Sequence, residues 1–582
     1  MSRNAEVASL LEEYADLLEA RDVEYKPRAY RRAATNLRDH PDAVEALAED
    51  GPEAIQEIDG VGEAISEKIV EYLETGSIAE LEEERERLPV DMAALTRVEG
   101  VGPKTVGALY EALGIQTLDD LEEAARAGEI REVEGFGSKT EQNILDNIEF
   151  AREAQERSLL GDSRPVADDV LAFLGDLEPV DAAEVAGSIR RWSETIGDVD
   201  VLVGTDVGET IVETVTEWDR VDEVIEAGST KASVRIGAMR VDLRMVDPGE
   251  FGSALQYFTG SKDHNIRLRQ WALDRDRKVN EYGVFDISDV DDPDSGQRVG
   301  DLLASETEEE VYRALDLPWI PPELREDRGE IDAAADGSLP SLLEIDDIRG
   351  DLHTHTDWSD GEYTIEAMVK GAEERGYDFL CISDHGEGPG VFGDNGLSDT
   401  ELRKQVEEIR TVGEKASIEV LAGVEANIAA DGTVGTNSDA VLAELDLVVA
   451  SPHSGLGGDV DQTDRLIDAV EHPHVDVLGH PSGRLINRRQ AMDFDARELA
   501  AAAVKEGVAL EVNANPNRLD LWGSAVKAAI EAGATITINT DAHSPEEYGL
   551  MRYGVHTARR GWAKPADVLN TWATSDVIDF VQ

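Results

Sequence analysis

The chain has 582 residues, 41% hydrophobic and 31% charged, which excludes a disordered chain and exceeds what one hydrophobic core can serve. Its one cysteine, Cys381, excludes a disulfide framework and a thiolate zinc site. With 54 Lys and Arg against 125 Asp and Glu, the formal net charge is −71, a field that ordinarily opposes a nucleic-acid partner. Two readings of the charge compete: an acidic interaction protein, or an enzyme adapted to molar salt, where charges are screened over only about 3 Å. The acid is spread along the whole chain, and arginine outnumbers lysine, which favours the salt-adapted enzyme. No apolar run is long enough to span a bilayer, and the opening MSRNAEVASLLEEY has no apolar signal core, so a cytoplasmic protein is expected. Cys381, inside the apolar run FLCIS, reads as a buried strand position and not as a nucleophile.

In chain order, residues from Val7 to about Tyr72 have helical periodicity. Three segments then share an apolar residue, Gly-x-Gly and an amphipathic helix: Gly60 and Gly62, Gly100 and Gly102, Gly135 and Gly137. Glycine permits the tight turn, and the helix N-terminus favours an anion, so the repeat reads as a helix-hairpin-helix that grips the DNA backbone without reading sequence. A dinucleotide-binding reading fails because no strand precedes these turns and the third glycine is missing. From about Gly161 strands and helices alternate. Asp198 and Asp200 alternate in GDVDVLVG and face one way, and Asp242 in RVDLRMV can join them from a neighbouring strand. Three carboxylates so placed suit hard divalent cations such as Mg²⁺ or Mn²⁺, and two such ions could activate a 3′-hydroxyl and steady a leaving pyrophosphate. Residues 318–348, rich in Pro, Asp and Glu, read as a linker or arm.

After Gly350, apolar strands alternate with Ala- and Glu-rich helices, as in a β/α barrel or a doubly wound sheet. Candidate ligands gather where strands end: His353, His355 and Asp360, then His385, Glu425, His453, His480, Asp541 and His543. Imidazole with carboxylate suits Zn²⁺, Mn²⁺ or Fe²⁺, and nine ligands exceed one ion, so a cluster of two or three is expected. Arg484, just beyond His480, could bind a phosphate oxygen, and Asp384 could serve as an acid/base group or as a helix cap.

The run GSIRRWSETIGDVDVLVG, the later VDLR and the segment YFTGSKDHN resemble the palm and thumb of X-family DNA polymerases. The resemblance covers roughly the first 330 residues. It implies that Ser188 and Arg191 contact the nucleotide triphosphate and that Tyr257, Phe258 and Gly260 line the sugar. It also implies that Asn265 and Arg269 reach the nascent pair or template. Lys262 stands where the animal repair enzymes carry an aspartate. The N-terminal helices resemble the family's deoxyribose-phosphate lyase domain, which makes Lys68 the expected Schiff-base nucleophile, with Lys26 and Tyr30 upstream. Ala64 replaces a basic residue often found there. Residues from Asp351 onward resemble the PHP phosphoesterases, with the nine-ligand set complete.

The resemblance implies a multidomain chain: a helical lyase-like domain with a helix-hairpin-helix (1–85), helix-hairpin-helix fingers (86–155), an α+β nucleotidyltransferase palm (156–248) and a thumb (249–328). A linker (329–348) and a PHP domain built as a distorted β/α barrel (349–582) complete it. The expected function is gap-filling DNA repair synthesis on gapped or nicked duplexes, using deoxynucleoside triphosphates. A 3′→5′ exonuclease and possible abasic-site cleavage would come from the PHP domain of a monomer without membrane contact. The alternatives are a small-molecule phosphatase of the histidinol-phosphatase type with an inactive polymerase half, and a non-catalytic DNA-binding scaffold.

Overall fold

The computed structural model describes all residues except 1–2, 24–25, 39–43, 50, 57, 59, 99, 134, 156, 389–395, 457–459 and 582. The chain forms two compact units, Met1–Arg157 with Asn487–Arg489, and Ser158–Ile486 with Gln490–Gln582. Among the described residues no helix is long and apolar enough to cross a membrane.

The first unit is helical around a core that includes Leu11, Leu37, Ile55, Ile69, Leu81 and Leu95. Each Gly-x-Gly joins a short helical turn to a longer helix: Pro52–Ile55 to Glu63–Thr75, Met92–Leu95 to Pro103–Leu113, and Ile130–Glu132 to Ser138–Gln155. The first glycine of each pair needs a left-handed backbone, with φ of 75°, 82° and 92° at Gly60, Gly100 and Gly135.

The second unit begins with a five-stranded sheet ordered Ala182–Val185, Val199–Gly204, Met239–Val246, Lys231–Ile236, Glu223–Ala227. Met239–Val246 alternates buried and more exposed residues, which places one side-chain set in the core and the other outside. The helices Phe251–Thr259 and Lys262–Leu273 and a three-stranded antiparallel sheet follow. Seven parallel strands then run in chain order from Gly350–Asp351 to Ile536–Asn539. A parallel bridge between Thr354 and Ala542 draws the first and last strands together, so the sheet nearly closes into a barrel. The strands Phe379–Ile382, Ala509–Asn513 and Ile536–Asn539 are buried throughout, as apolar strands covered on both faces must be. Cys381 is fully buried in Phe379–Ile382, and burial pushes its thiol well above the ordinary range.

The stretch expected to be a linker is folded. Ile320, Leu324, Ile331, Ala334 and Leu342 are buried with Leu268, Val311 and Tyr312. Its charges are not all solvated: fully buried Arg325 donates to Glu308 at 2.6 Å, and fully buried Glu330 lies 2.6 Å from His264 Nδ1. Buried charges persist when paired, and composition does not show the pairing. Palm and barrel also share a core, in which Leu519 and Tyr553 pack with Leu160, Val170, Ile189 and Val201.

Candidate active sites

In the palm, parallel pairing of Val199–Gly204 with Met239–Val246 sets Asp200 directly opposite Asp242. Asp198 lies one residue before the first of these strands, and the three side chains offer ligand atoms within 4.8 Å of one another. Burial, then Asp198 and Asp242, push the Asp200 carboxyl up to about 7. Exposed Arg240 grips Asp242 with two bonds of 3.0 Å. Carboxylates this crowded call for a cation, and their all-oxygen chemistry fits a hard divalent ion. Gly187 closes the site from beneath. Its φ is +58°, and any Cβ there would collide with Asp200 Oδ2. Asp200, Asp242, Lys231, Arg244 and Phe258 line a cavity of about 190 Å³.

Ser188 sits in the short helix Gly187–Arg190, with Arg191 at its end. Arg191 Nη1 donates to Thr259 O at 2.5 Å and Nε to Glu326 at 3.0 Å. Gly260, at φ +70°, lies against that guanidinium. Tyr257 and Phe258 meet edge to face at 5.1 Å, with Arg269 over the first ring and Arg244 over the second. Asn265 is buried, accepting from Gln256 and donating to Tyr257 O. Its amide therefore locks the turn after Phe251–Thr259 in this state.

In the helical unit, a Cβ added at Gly62, Gly100, Gly102, Gly135 or Gly137 would meet nothing within 4 Å. No side chain caps the helices opening after Gly62 and Gly102, so the N–H groups of Glu63 and Ala64 in the first and of Lys104 and Thr105 in the second, Pro103 having none, are placed to meet a phosphate. Lys68 is buried and ion-paired with Glu80 at 3.0 Å. Tyr14 donates to the same carboxylate at 2.7 Å, and Tyr30 lies against Lys68.

The barrel gathers all nine expected ligands. Glu425 Oε2 lies 2.7 Å from His385 Nδ1, and its Oε1 lies 3.1 Å from His480 Nε2 and 3.3 Å from His453 Nε2. Asp541 Oδ1 faces His355 Nε2 at 3.0 Å. Asp360 faces His385 at 3.2 Å and His543 at 3.4 Å. Among the described residues of the barrel, four overlapping groups could each hold an ion: His353/His355/Glu425, His355/Asp541/His543, His355/Asp360/His385 and His385/Glu425/His453. His353 Nε2, both ring nitrogens of His355, His385 Nδ1 and Glu425 Oε2 are buried and make no aligned hydrogen bond, although His385 Nδ1 lies 2.7 Å from Glu425 Oε2 and His355 Nε2 lies 3.0 Å from Asp541 Oδ1. Such orphaned donors and acceptors are costly unless something coordinates them. Burial pushes the Glu425 carboxyl up, but His453, His385 and His353 hold it well below the usual range. Burial disfavours the His543 imidazolium, yet Asp360 and Asp541 raise its pKa to about 9. The mixed imidazole and carboxylate set thus fits two or three borderline divalent cations such as Zn²⁺, Mn²⁺ or Fe²⁺.

A supporting layer, not anticipated from the sequence, fixes these rings. Glu511 is fully buried. It holds His353 Nδ1 at 2.8 Å and the His480 backbone N–H at 2.7 Å. With Nδ1 so engaged, His353 Nε2 is left to face the cluster. Asn427 holds His453 Nδ1 at 2.5 Å. A carboxylate inside the apolar run ALEVNAN was the available signal for Glu511. Asp384 accepts from Thr356, Ser359 and Gln405, so it shapes the loop that carries Asp360. Arg484 requires a correction. Its Nε donates to Arg518 O at 2.6 Å, its Nη2 to Leu519 O at 2.5 Å, and its Nη1 pairs with Glu194 of the palm at 3.0 Å. A buried guanidinium takes the nearest acceptors, so Arg484 ties barrel to palm and is not presented to a phosphate. The arginine beside the cluster is Arg518, with Nε 4.0 Å from Asp541 Oδ2.

Four family models match: DNA polymerase beta thumb on residues 254–326, Helix-hairpin-helix domain on 2–78, SAM-like Helix-hairpin-helix tandem on 92–149, and PHP domain on 351–515. Together with the palm carboxylates they define a DNA polymerase joined to a second domain with a metal-type site. The chain is 35% identical over 583 residues, covering 99% of each protein, to the DNA polymerase/3'-5' exonuclease PolX of Bacillus subtilis (strain 168). It belongs to the X-family DNA polymerases that carry a C-terminal PHP domain. It is also 24% identical to DNA polymerase lambda of Rattus norvegicus over 56% of each chain. A probable phosphatase of Thermoanaerobacter sp. (strain X514) is 28% identical over 38% of this chain and 89% of its own.

Proposed function

We propose that this polymerase fills short gaps during DNA repair and that its barrel degrades DNA 3′ ends, with abasic-site cleavage a further activity of the same site. The observation that carries this reading is the barrel's complete ligand set, with its orphaned imidazoles, on the same chain as an intact palm triad. The name of the Bacillus relative couples the same two activities. Asp198, Asp200 and Asp242 would hold Mg²⁺ or Mn²⁺. The nine barrel residues would hold two or three Mn²⁺, Zn²⁺ or Fe²⁺ ions, which when bound supply hydroxide near neutral pH and neutralise phosphate charge. Ser188 and Arg191 would bind the triphosphate. Tyr257, Phe258 and Gly260 would shape the sugar pocket; Arg269, and Asn265 once released from Gln256 and the Tyr257 carbonyl, would reach the nascent pair or template. The six turn glycines would hold the backbone of a gapped or nicked duplex.

Lys68 is the proposed lyase nucleophile, and its pair with Glu80 must open before the amine can attack an aldehyde. Borohydride trapping of a covalent DNA adduct, lost in Lys68→Ala, tests that step. The enzyme is read as a cytoplasmic monomer from a salt-rich interior, since a net charge of −71 needs screening.

The test uses a one-nucleotide-gapped duplex in molar KCl with Mn²⁺, with and without nucleotides. Asp200→Ala should lose only extension and His355→Ala only 3′-end degradation. Cleavage of small phosphate monoesters with no action on DNA would instead favour the phosphatase reading suggested by the Thermoanaerobacter relative. Activity best at low salt and lost in molar KCl would overturn the salt-adapted reading.

A further inference from the structure

The palm turn that carries Arg191 is held by the barrel. Arg560, at the end of the barrel helix Met551–Arg560, donates from Nη1 to the backbone carbonyl of Arg191 at 2.6 Å and to Glu326 Oε1 at 3.2 Å. The same Glu326 oxygen accepts from Arg191 Nε at 3.0 Å. One carboxylate therefore bridges a polymerase guanidinium and a barrel guanidinium, all three side chains being largely buried. With Nε and Nη1 anchored to Glu326 and Thr259, Nη2 of Arg191 has no hydrogen-bond partner among the described residues. The next residue, Trp192, has φ of +54°, a conformation that a bulky side chain adopts only when its surroundings impose it. Those surroundings are His556 of the same barrel helix, stacked on the indole at 3.6 Å and 5°. Two independent contacts from one barrel helix thus hold this turn: Arg560 at the Arg191 carbonyl and His556 on the Trp192 indole.

We propose that Arg560 is a positioning residue for nucleotide addition: through Glu326 and the Arg191 carbonyl, the barrel sets the pose in which Arg191 meets the triphosphate. The inference rests on the reading of Arg191 as a triphosphate ligand. Burial works against the Glu326 carboxylate, and Arg560 and Arg191 hold it below the usual carboxylate range, so both guanidiniums keep a fixed anionic anchor. A charge-assisted hydrogen bond restricts a guanidinium to one orientation before the ligand arrives, which lowers the ordering cost of binding.

The test measures KM and kcat for the incoming nucleotide on a gapped duplex with the full chain. Arg560→Met, which keeps length and loses both hydrogen bonds, should raise KM about 10-fold, the scale of one hydrogen bond to a charged group, with kcat little changed. Arg560→Lys should recover part of the loss. Arg552→Ala removes a different ion pair from the same helix, to Asp168 at 3.1 Å, and should leave KM unmoved. The deciding arm is the Arg191→Ala background, where Arg560→Met should change KM by no more than about 2-fold, because its effect acts through Arg191. If Arg191→Ala itself leaves KM unchanged, the triphosphate reading of Arg191 falls and the inference with it. If Arg191→Ala raises KM but Arg560→Met does not, or raises it equally in both backgrounds, the inference alone falls. If Arg560→Met does not fold, Arg560→Lys is compared in the two backgrounds by the same criterion.

Discussion

The palm and the barrel assemble metal-type sites from different materials. The palm uses three aspartates on adjacent strands, without imidazole, and grips one of them with an exposed arginine. The barrel uses six histidines and three carboxylates, mostly buried, and supports them with Glu511 and Asn427. An all-carboxylate site suits an ion that arrives with the substrate's phosphates and leaves with the product. A buried imidazole site with a second supporting layer suits ions that stay. The difference teaches that one chain can build a site suited to exchangeable ions on one domain and a site suited to resident ions on the other.

The sharpest break in that comparison comes from Gly187→Ala. The new Cβ would collide with Asp200 Oδ2, and φ of +58° disfavours any side chain. Gap extension should fall by about 10²-fold or more, the usual cost of displacing a reacting group by an ångström. Release of 3′-labelled nucleotide by the barrel should not change. Glu511→Gln probes the other side. It keeps the shape of the carboxylate but weakens its hold on His353, and barrel metal affinity, read by competition with a chelator, should drop about 10–100-fold.

A smaller effect comes from Asp200 itself. Its carboxyl is raised to about 7, above the unfolded value of about 3.9. The stability it contributes is therefore complete below about 4 and is lost as pH rises through 7. Without divalent metal, Asp200→Asn should melt a few degrees higher than the parent at pH 8, and the gap should close toward pH 5. Added Mn²⁺ should narrow the difference at pH 8 by stabilising the parent. At limiting metal, extension should fall as pH drops through 7, because the carboxyl must lose its proton to bind.

The sequence showed most plainly what repeats or alternates. Two histidines two apart at a strand end, two aspartates two apart on a strand and three Gly-x-Gly turns each have a spacing that dictates geometry. It concealed what depends on a distant partner. Residues 318–348 read as a linker or arm because they are rich in Pro, Asp and Glu, yet Arg325 and Glu330 are buried on their partners Glu308 and His264. Arg484 looked available because it follows His480, yet Glu194, almost three hundred residues earlier, claims it. Glu511 was hidden among apolar neighbours because its role is to orient another ligand. Arg560 carries no motif, since its partners lie on the palm turn and the thumb's end.

The most direct test of the two-site account is metal analysis of the purified, extensively dialysed protein by mass spectrometry, comparing parent, Asp200→Ala and Glu425→Gln. The account predicts two to three transition-metal ions per parent chain, the same number in Asp200→Ala, and loss of most of them in Glu425→Gln, whose carboxylate meets five of the histidines. A parent chain that retains no metal, or an Asp200→Ala chain that loses it while Glu425→Gln keeps it, would contradict the assignment of resident ions to the barrel.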